Sequence, residues 1–195
     1  MTVIAGDSYA ARLDPVKLGK GKCYVDNIAV GGAKIKHVQE QLETYAAANS
    51  GTVVNKIIIS VGTNDIRHCQ DISILRGPLK QLCTKIDSLF PHSKIFFQSL
   101  LPLPLKDDND WLTNRRVLDF NRIVFNECVF RKYYFIDAFR PFTKFKRLRG
   151  EPVKRFDRLF EVGGIHPNKE RGLGVLARFY IRAIHSRFFN PFVYQ

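Results

Sequence analysis

The sequence contains no run of the roughly 18 to 20 apolar residues that a membrane span requires. Its opening apolar segment, Met1 to Gly6, is too short for a secretory leader, so a cytoplasmic protein is the expectation. Cysteine is sparse. Cys23, Cys69, Cys83 and Cys128 form no C-x-x-C pair and have no histidine at zinc-ligand spacing, which argues against a metal site or a disulfide framework and for reduced, mostly buried thiols. No internal repeat, low-complexity tract or Ser/Gly linker marks a boundary, so one domain over residues 1–195 is expected. Acidic residues are also few. Against 18 Asp and Glu stand 31 Lys and Arg, a net charge of +13 that would attract polyanions such as RNA, DNA or anionic lipid.

What is present is an alternation of short apolar runs with longer amphipathic segments, the pattern of an α/β protein with a mainly parallel sheet. Five strands are predicted: Thr2 to Ala5, Cys23 to Val30, Lys56 to Val61, Lys94 to Ser99 and Tyr133 to Asp137. Helical spacing connects Ile35, Val38, Leu42 and Tyr45, then Leu79, Leu82, Ile86 and Leu89, then Val117, Phe120, Val124 and Cys128. A last helix from Lys169 to Ser186 should turn Leu173, Leu176, Phe179, Tyr180 and Ala183 inward. Residues 139–160 hold eight basic residues, Arg140, Lys144, Lys146, Arg147, Arg149, Lys154, Arg155 and Arg158, against Glu151 and Asp157, and read as an exposed basic excursion.

In a parallel sheet, ligands bind beyond the carboxyl ends of the strands. There the apolar runs give way to Gly6-Asp7-Ser8, Gly31-Gly32-Ala33, Gly62-Thr63-Asn64-Asp65 and, after the excursion, Gly163-Gly164-Ile165-His166-Pro167-Asn168. Acyl transfer requires a hydroxyl nucleophile, a base and donors for the oxyanion. Ser8 offers the hydroxyl and His166 the imidazole. The backbone N–H groups of Ser8 and Gly32 and the side-chain amide of Asn64 are the candidate oxyanion donors.

These blocks resemble the SGNH (GDSL-type) hydrolases, whose four named residues map onto Ser8, Gly32, Asn64 and His166 across nearly the whole chain. The resemblance implies a flavodoxin-like, three-layer α/β/α sandwich with a five-stranded parallel sheet. It also implies a serine esterase that cleaves an O-acyl ester, acetyl or lipid, through an acyl-enzyme without cofactor or metal. More narrowly, Ile57 to Asp65, Leu100-Leu101-Pro102, Asn121 and the Gly-Ile-His-Pro-Asn ending are similar to esterase domains in the first-reading-frame proteins of LINE-type retrotransposons. Work beside RNA would suit a basic chain.

One position departs from the family pattern. The aspartate that usually stands three residues before the histidine is replaced by Gly163. Glu161 and Asp157 are candidates for the third triad member, a backbone carbonyl is another, and a Ser-His dyad is the remaining arrangement. The alternative reading of the chain is a catalytically weak or inactive module that binds RNA or anionic membrane through its basic surface.

Other residues invite simpler readings. His37, His68, His92 and His185 read as surface or helix-end residues, and Asp107, Asp108 and Asp110 as a solvated loop rather than a calcium site. Asp7 and Asp65 read as turn-holding carboxylates, and Arg67 as a surface residue. Trp111 with Leu103 and Leu105 could form an apolar lid or a loop packed on the sheet edge. Phe139, Phe142, Phe145 and Phe156 could stack on bases or anchor the excursion to the core.

Overall fold

A computed structural model describes residues 1–67, 69–104, 111–144 and 154–186, without the side chains of 111–113, 144 and 154. His68, the Asp107–Asp110 group, Leu105, the side chain of Trp111, and Phe145 through Glu151 in the basic excursion therefore lie outside the described residues.

Five strands, β1 (Thr2–Gly6), β2 (Val25–Asn27), β3 (Lys56–Ser60), β4 (Lys94–Gln98) and β5 (Tyr134–Ile136), form a parallel sheet in the order β2-β1-β3-β4-β5. That is the order of flavodoxin-like folds. Because side chains alternate across a strand, each strand supplies two cores. Val3, Ala5, Ile57, Ile59, Ile95 and Phe97 face one core, while Ile4, Ile58, Phe96 and Ile136 face the other. The first is covered by α3 (Ile35–Ala48), α5 (Arg76–Leu89) and α6 (Trp111–Arg131), and the second by α1 (Ser8–Ala11), α2 (Pro15–Gly19) and α7 (Gly172–His185). A single-turn helix, α4 (Thr63–Ile66), follows β3.

The predicted helical stripes are buried as expected, including Val38 and Leu42 of α3, Leu82 and Ile86 of α5, and Phe120 and Val124 of α6. Two boundaries differ by three residues. Regular pairing of the second strand stops at Asn27, because the Asn27 side chain turns away to donate to the carbonyls of Ala10 and Leu13. The chain still tracks β1 loosely, with Ile28 N–H on Ile4 O and Val30 N–H on Gly6 O. The last helix begins at Gly172 rather than Lys169, since Asn168 Oδ1 accepts from the N–H groups of Arg171 and Gly172 and holds the preceding turn. At its far end, Lys56 Nζ reaches from β3 to the carbonyls of Ala183, Ile184 and Ser186 at 2.8, 2.6 and 2.9 Å.

The basic excursion contains a further pairing that periodicity did not reveal. A two-residue strand β6 (Thr143–Lys144) runs antiparallel to β7 (Lys154–Arg155). Phe139 and Phe142 are buried, so they anchor this segment. Arg155 corrects the expectation of uniform exposure: it is 8% exposed, bonds Asp157 Oδ1 and Gly164 O at 2.7 Å each, and lies over the Phe160 ring. Leu103 is likewise packed, exchanging backbone hydrogen bonds with the Asn114 amide. Among the described residues no group of three or more His, Cys, Asp or Glu is placed to hold a metal ion, and no helix is long and apolar enough to cross a membrane.

Candidate active site

Strand β1 ends at Gly6, and Asp7 N-caps α1, its Oδ1 accepting from Tyr9 N–H at 3.1 Å. Ser8 is thereby the first helical residue, with an N–H that no acceptor meets among the described residues. The Ser8 Oγ lies 2.9 Å from His166 Nε2, across 158 residues of sequence. A hydroxyl and an imidazole at this distance are in reach for proton transfer.

The imidazole is carried on a short hairpin loop. Phe160 bridges Pro167, Glu161 N–H donates to His166 O at 2.9 Å, and Gly164 N–H donates to Glu161 O at 3.0 Å. Within that turn Gly163 has φ +65°, a left-handed conformation that suits glycine. The tight turn folds Glu161 back beside the ring, so Glu161 Oε2 stands 3.7 Å from His166 Nδ1. This is an ion-pair separation rather than a hydrogen bond. The other oxygen, Oε1, is held by Arg12 Nη1. Asp157, the second carboxylate considered for this position, is engaged by Arg155 instead.

Burial and the positive charges of Arg12 and Arg67 push the His166 imidazole below its ordinary range, while Glu161 pulls it back up. The ring is therefore neutral near pH 7, the form that accepts a proton. The hydrogen bond from Arg12 holds the Glu161 carboxyl below the usual carboxylate range, so it is ionised there. The Tyr9 ring meets His166 edge-on with centroids 6.0 Å apart and closes the inner side of the site.

The glycine loop after β2 reaches the same rim: a Cβ built on Gly31 would lie 3.9 Å from Ser8 Cβ. Gly32 N–H has no acceptor among the described residues. Asn64 on α4 donates to Ala33 O at 3.1 Å, which ties the two loops together and leaves the second N–H of its amide available. Asp65 reinforces the tie, its carboxylate receiving Ile35 N–H at the start of α3. Gly62, which precedes α4, admits no side chain, because a Cβ there would fall 2.3 Å from the Phe120 ring. Asp7 is wholly buried and also accepts from the Ser60 hydroxyl at 3.4 Å; burial pushes its carboxyl up to about 7.

Ser8, Gly32, Asn64 and His166 thus converge, and Glu161 joins them more closely than Asp157. Arg12 was missed. It follows Ser8 by four residues, and no sequence signal separates it from the other surface arginines. The buried ring of Tyr9 and the Ser60 hydroxyl escaped for the same reason: as single residues they carry no motif.

A hydroxyl–imidazole pair beside unpaired N–H groups, at the carboxyl edge of a flavodoxin-like sheet, is the kind of arrangement that acyl-transfer chemistry requires. A family model described as GDSL-like Lipase/Acylhydrolase family matches residues 4–170, and the chain belongs to that family of carboxylic ester hydrolases. Among solved structures, a GDSL-like lipase from Bacteroides thetaiotaomicron is 14% identical with a TM-score of 0.72, covering 94% of this chain and 86% of its own. A member of the lipolytic protein G-D-S-L family from Veillonella parvula is 15% identical with a TM-score of 0.71, covering 96% and 98%. An acetyl xylan esterase from Geobacillus stearothermophilus is 15% identical with a TM-score of 0.67, covering 97% and 96%. At these identities the likeness is one of fold. Among curated proteins none matches the chain.

Proposed function

We propose that the protein is a serine esterase that hydrolyses an O-acyl ester, acetyl or lipid, through an acyl-enzyme. The observation that carries this reading is the 2.9 Å approach of Ser8 Oγ to His166 Nε2. Ser8 attacks the ester carbonyl as His166 takes its proton. The tetrahedral oxyanion is met by the N–H groups of Ser8 and Gly32 and by the Asn64 amide, and His166 returns the proton to the departing alkoxide. Water, activated by the same imidazole, then releases the acyl group. Glu161 steadies the imidazolium by charge at 3.7 Å rather than by a direct hydrogen bond, an arrangement between a dyad and a full triad.

The test is hydrolysis of p-nitrophenyl acetate by the wild type and by Ser8→Ala, with labelling by a fluorophosphonate. Labelling at Ser8 and a loss of at least about 10³-fold in kcat on substitution are expected. An unchanged rate in Ser8→Ala overturns the assignment, and no turnover with no labelling favours an inactive module.

The net charge of +13 favours a second property, binding of a polyanion, RNA or anionic lipid, through the basic surface. Affinity for single-stranded RNA or phosphatidylserine vesicles should fall steeply with salt. Binding that is absent at low salt, or insensitive to salt, removes this property. Arg155, committed to internal partners, is excluded from that surface.

A further inference from the structure

A groove of about 670 Å³ runs beside the glycine loop and along one face of α3. Its walls include Ile28, Val30, Gly31, Gly32, Tyr45 and Ala48. Two of these residues belong to the candidate site, since Gly31 abuts Ser8 and Gly32 has an N–H with no acceptor among the described residues. The volume falls in the range of small-molecule sites. From His37 to Asn49, both of which line it, α3 advances about 18 Å at 1.5 Å per residue, so the groove is long as well as roomy.

Its chemistry is set by which polar groups are already engaged. Gln41 faces the groove, yet its amide is bonded on both sides to Gly6, accepting from the N–H at 3.2 Å and donating to the carbonyl at 3.4 Å. His37 Nδ1 accepts from Lys34 N–H at 3.1 Å. Glu40, Thr44 and Asn49 add polar groups along α3, but most of the exposed wall is hydrocarbon, including Val30, which is 58% exposed despite lying next to the glycine pair. A sugar ring laid on that hydrocarbon would lose hydrogen bonds to water. The carboxylate of Glu40, also on the wall, disfavours an anionic occupant.

The geometry points to this groove as the binding site for a linear aliphatic chain attached to the scissile ester, which makes the substrate a neutral lipid-like ester rather than an acetylated carbohydrate. The inference rests on the esterase reading for its orientation, with the ester carbonyl at Gly32 and the chain laid along α3 toward Ala48. Each methylene buried against the wall raises kcat/KM about fourfold until the chain outruns the groove.

The experiment compares two ester series. One lengthens the acyl chain from acetate through octanoate to dodecanoate on a constant p-nitrophenol leaving group. The other lengthens the alkyl chain of alkyl acetates. A rise of at least 10-fold along one series supports the groove and identifies whether the acyl or the alcohol side occupies it. Thr44→Trp, an exposed α3 position on the groove wall, should lower the long-to-short ratio of kcat/KM in that series by at least 10-fold. Ala47→Trp, exposed on the same helix and outside the groove, should leave the ratio alone. Flat series, or equal effects of the two tryptophans, overturn the inference. If no ester is cleaved at all, the esterase reading fails separately. Equilibrium binding of a neutral fluorescent dodecyl amide then decides the groove: binding lost in Thr44→Trp and retained in Ala47→Trp supports it, and absent or Thr44→Trp-insensitive binding overturns it.

Discussion

Arg12 and Glu161, 149 residues apart in sequence, are bonded at the mouth of the site, and the bond fixes which carboxylate oxygen faces His166. Arg12 acts on both partners with one charge. It keeps Glu161 ionised and resists protonation of the imidazole.

Replacing Arg12 by Gln should therefore let the His166 imidazole take up a proton more easily. As the proposed base, His166 works in its neutral form, so the acid limb of the kcat/KM profile should move to higher pH. A pH–rate profile of both proteins checks this, and a move to lower pH would contradict the electrostatic role of Arg12.

Glu161→Gln removes the charge beside Nδ1 while keeping the side chain's shape. Loss of the orienting acid in a hydrogen-bonded triad costs on the order of 10⁴ in turnover. With 3.7 Å between the groups, the expected loss here is smaller, about 10- to 100-fold in kcat. A loss as large as 10⁴ would mean that Glu161 closes onto the ring when substrate binds.

Gly163→Asp restores the residue type usual in the family and should nevertheless give no gain in kcat. At φ +65° the substitution strains the turn, at a stability cost of about 1 kcal/mol, and Glu161 already occupies the space beside Nδ1. Thermal melting and turnover of the variant test both halves of this expectation.

Asp7 should govern the pH dependence of stability. Its carboxyl is raised by burial from 3.8 to about 7, so the folded state binds a proton there that the unfolded state has released. Between these two values stability falls as pH rises, and above about 7 the full penalty, on the order of a few kcal/mol, is present. Asp7→Asn can keep the cap on Tyr9 N–H, and its melting temperature should be flatter from about pH 4 to 7 and higher than the wild type's at pH 8. Parallel profiles for the two proteins would show that Asp7 does not titrate in this window.

Much of this could be read from the amino acids. Short apolar runs located all five parallel strands, because a strand buried on both faces leaves a dense apolar run, and the helical stripes of α3, α5 and α6 were equally plain. The site blocks were legible because glycine and short polar residues interrupt those runs at one end of the sheet. The acid partner was not, since it depends on the hairpin fold between Phe160 and Pro167, where a left-handed Gly163 reverses the chain. Nor was the internal role of Arg155, because a buried arginine and a surface arginine are the same letter until Asp157, Gly164 and Phe160 close around it.

Lys56 fastens the end of α7 to the middle of the sheet, and α7 is the element that follows His166. Ser8 and His166 meet across 158 residues, so the proposed pair forms only where the turn after β1 and the segment leading into α7 are docked on the same sheet.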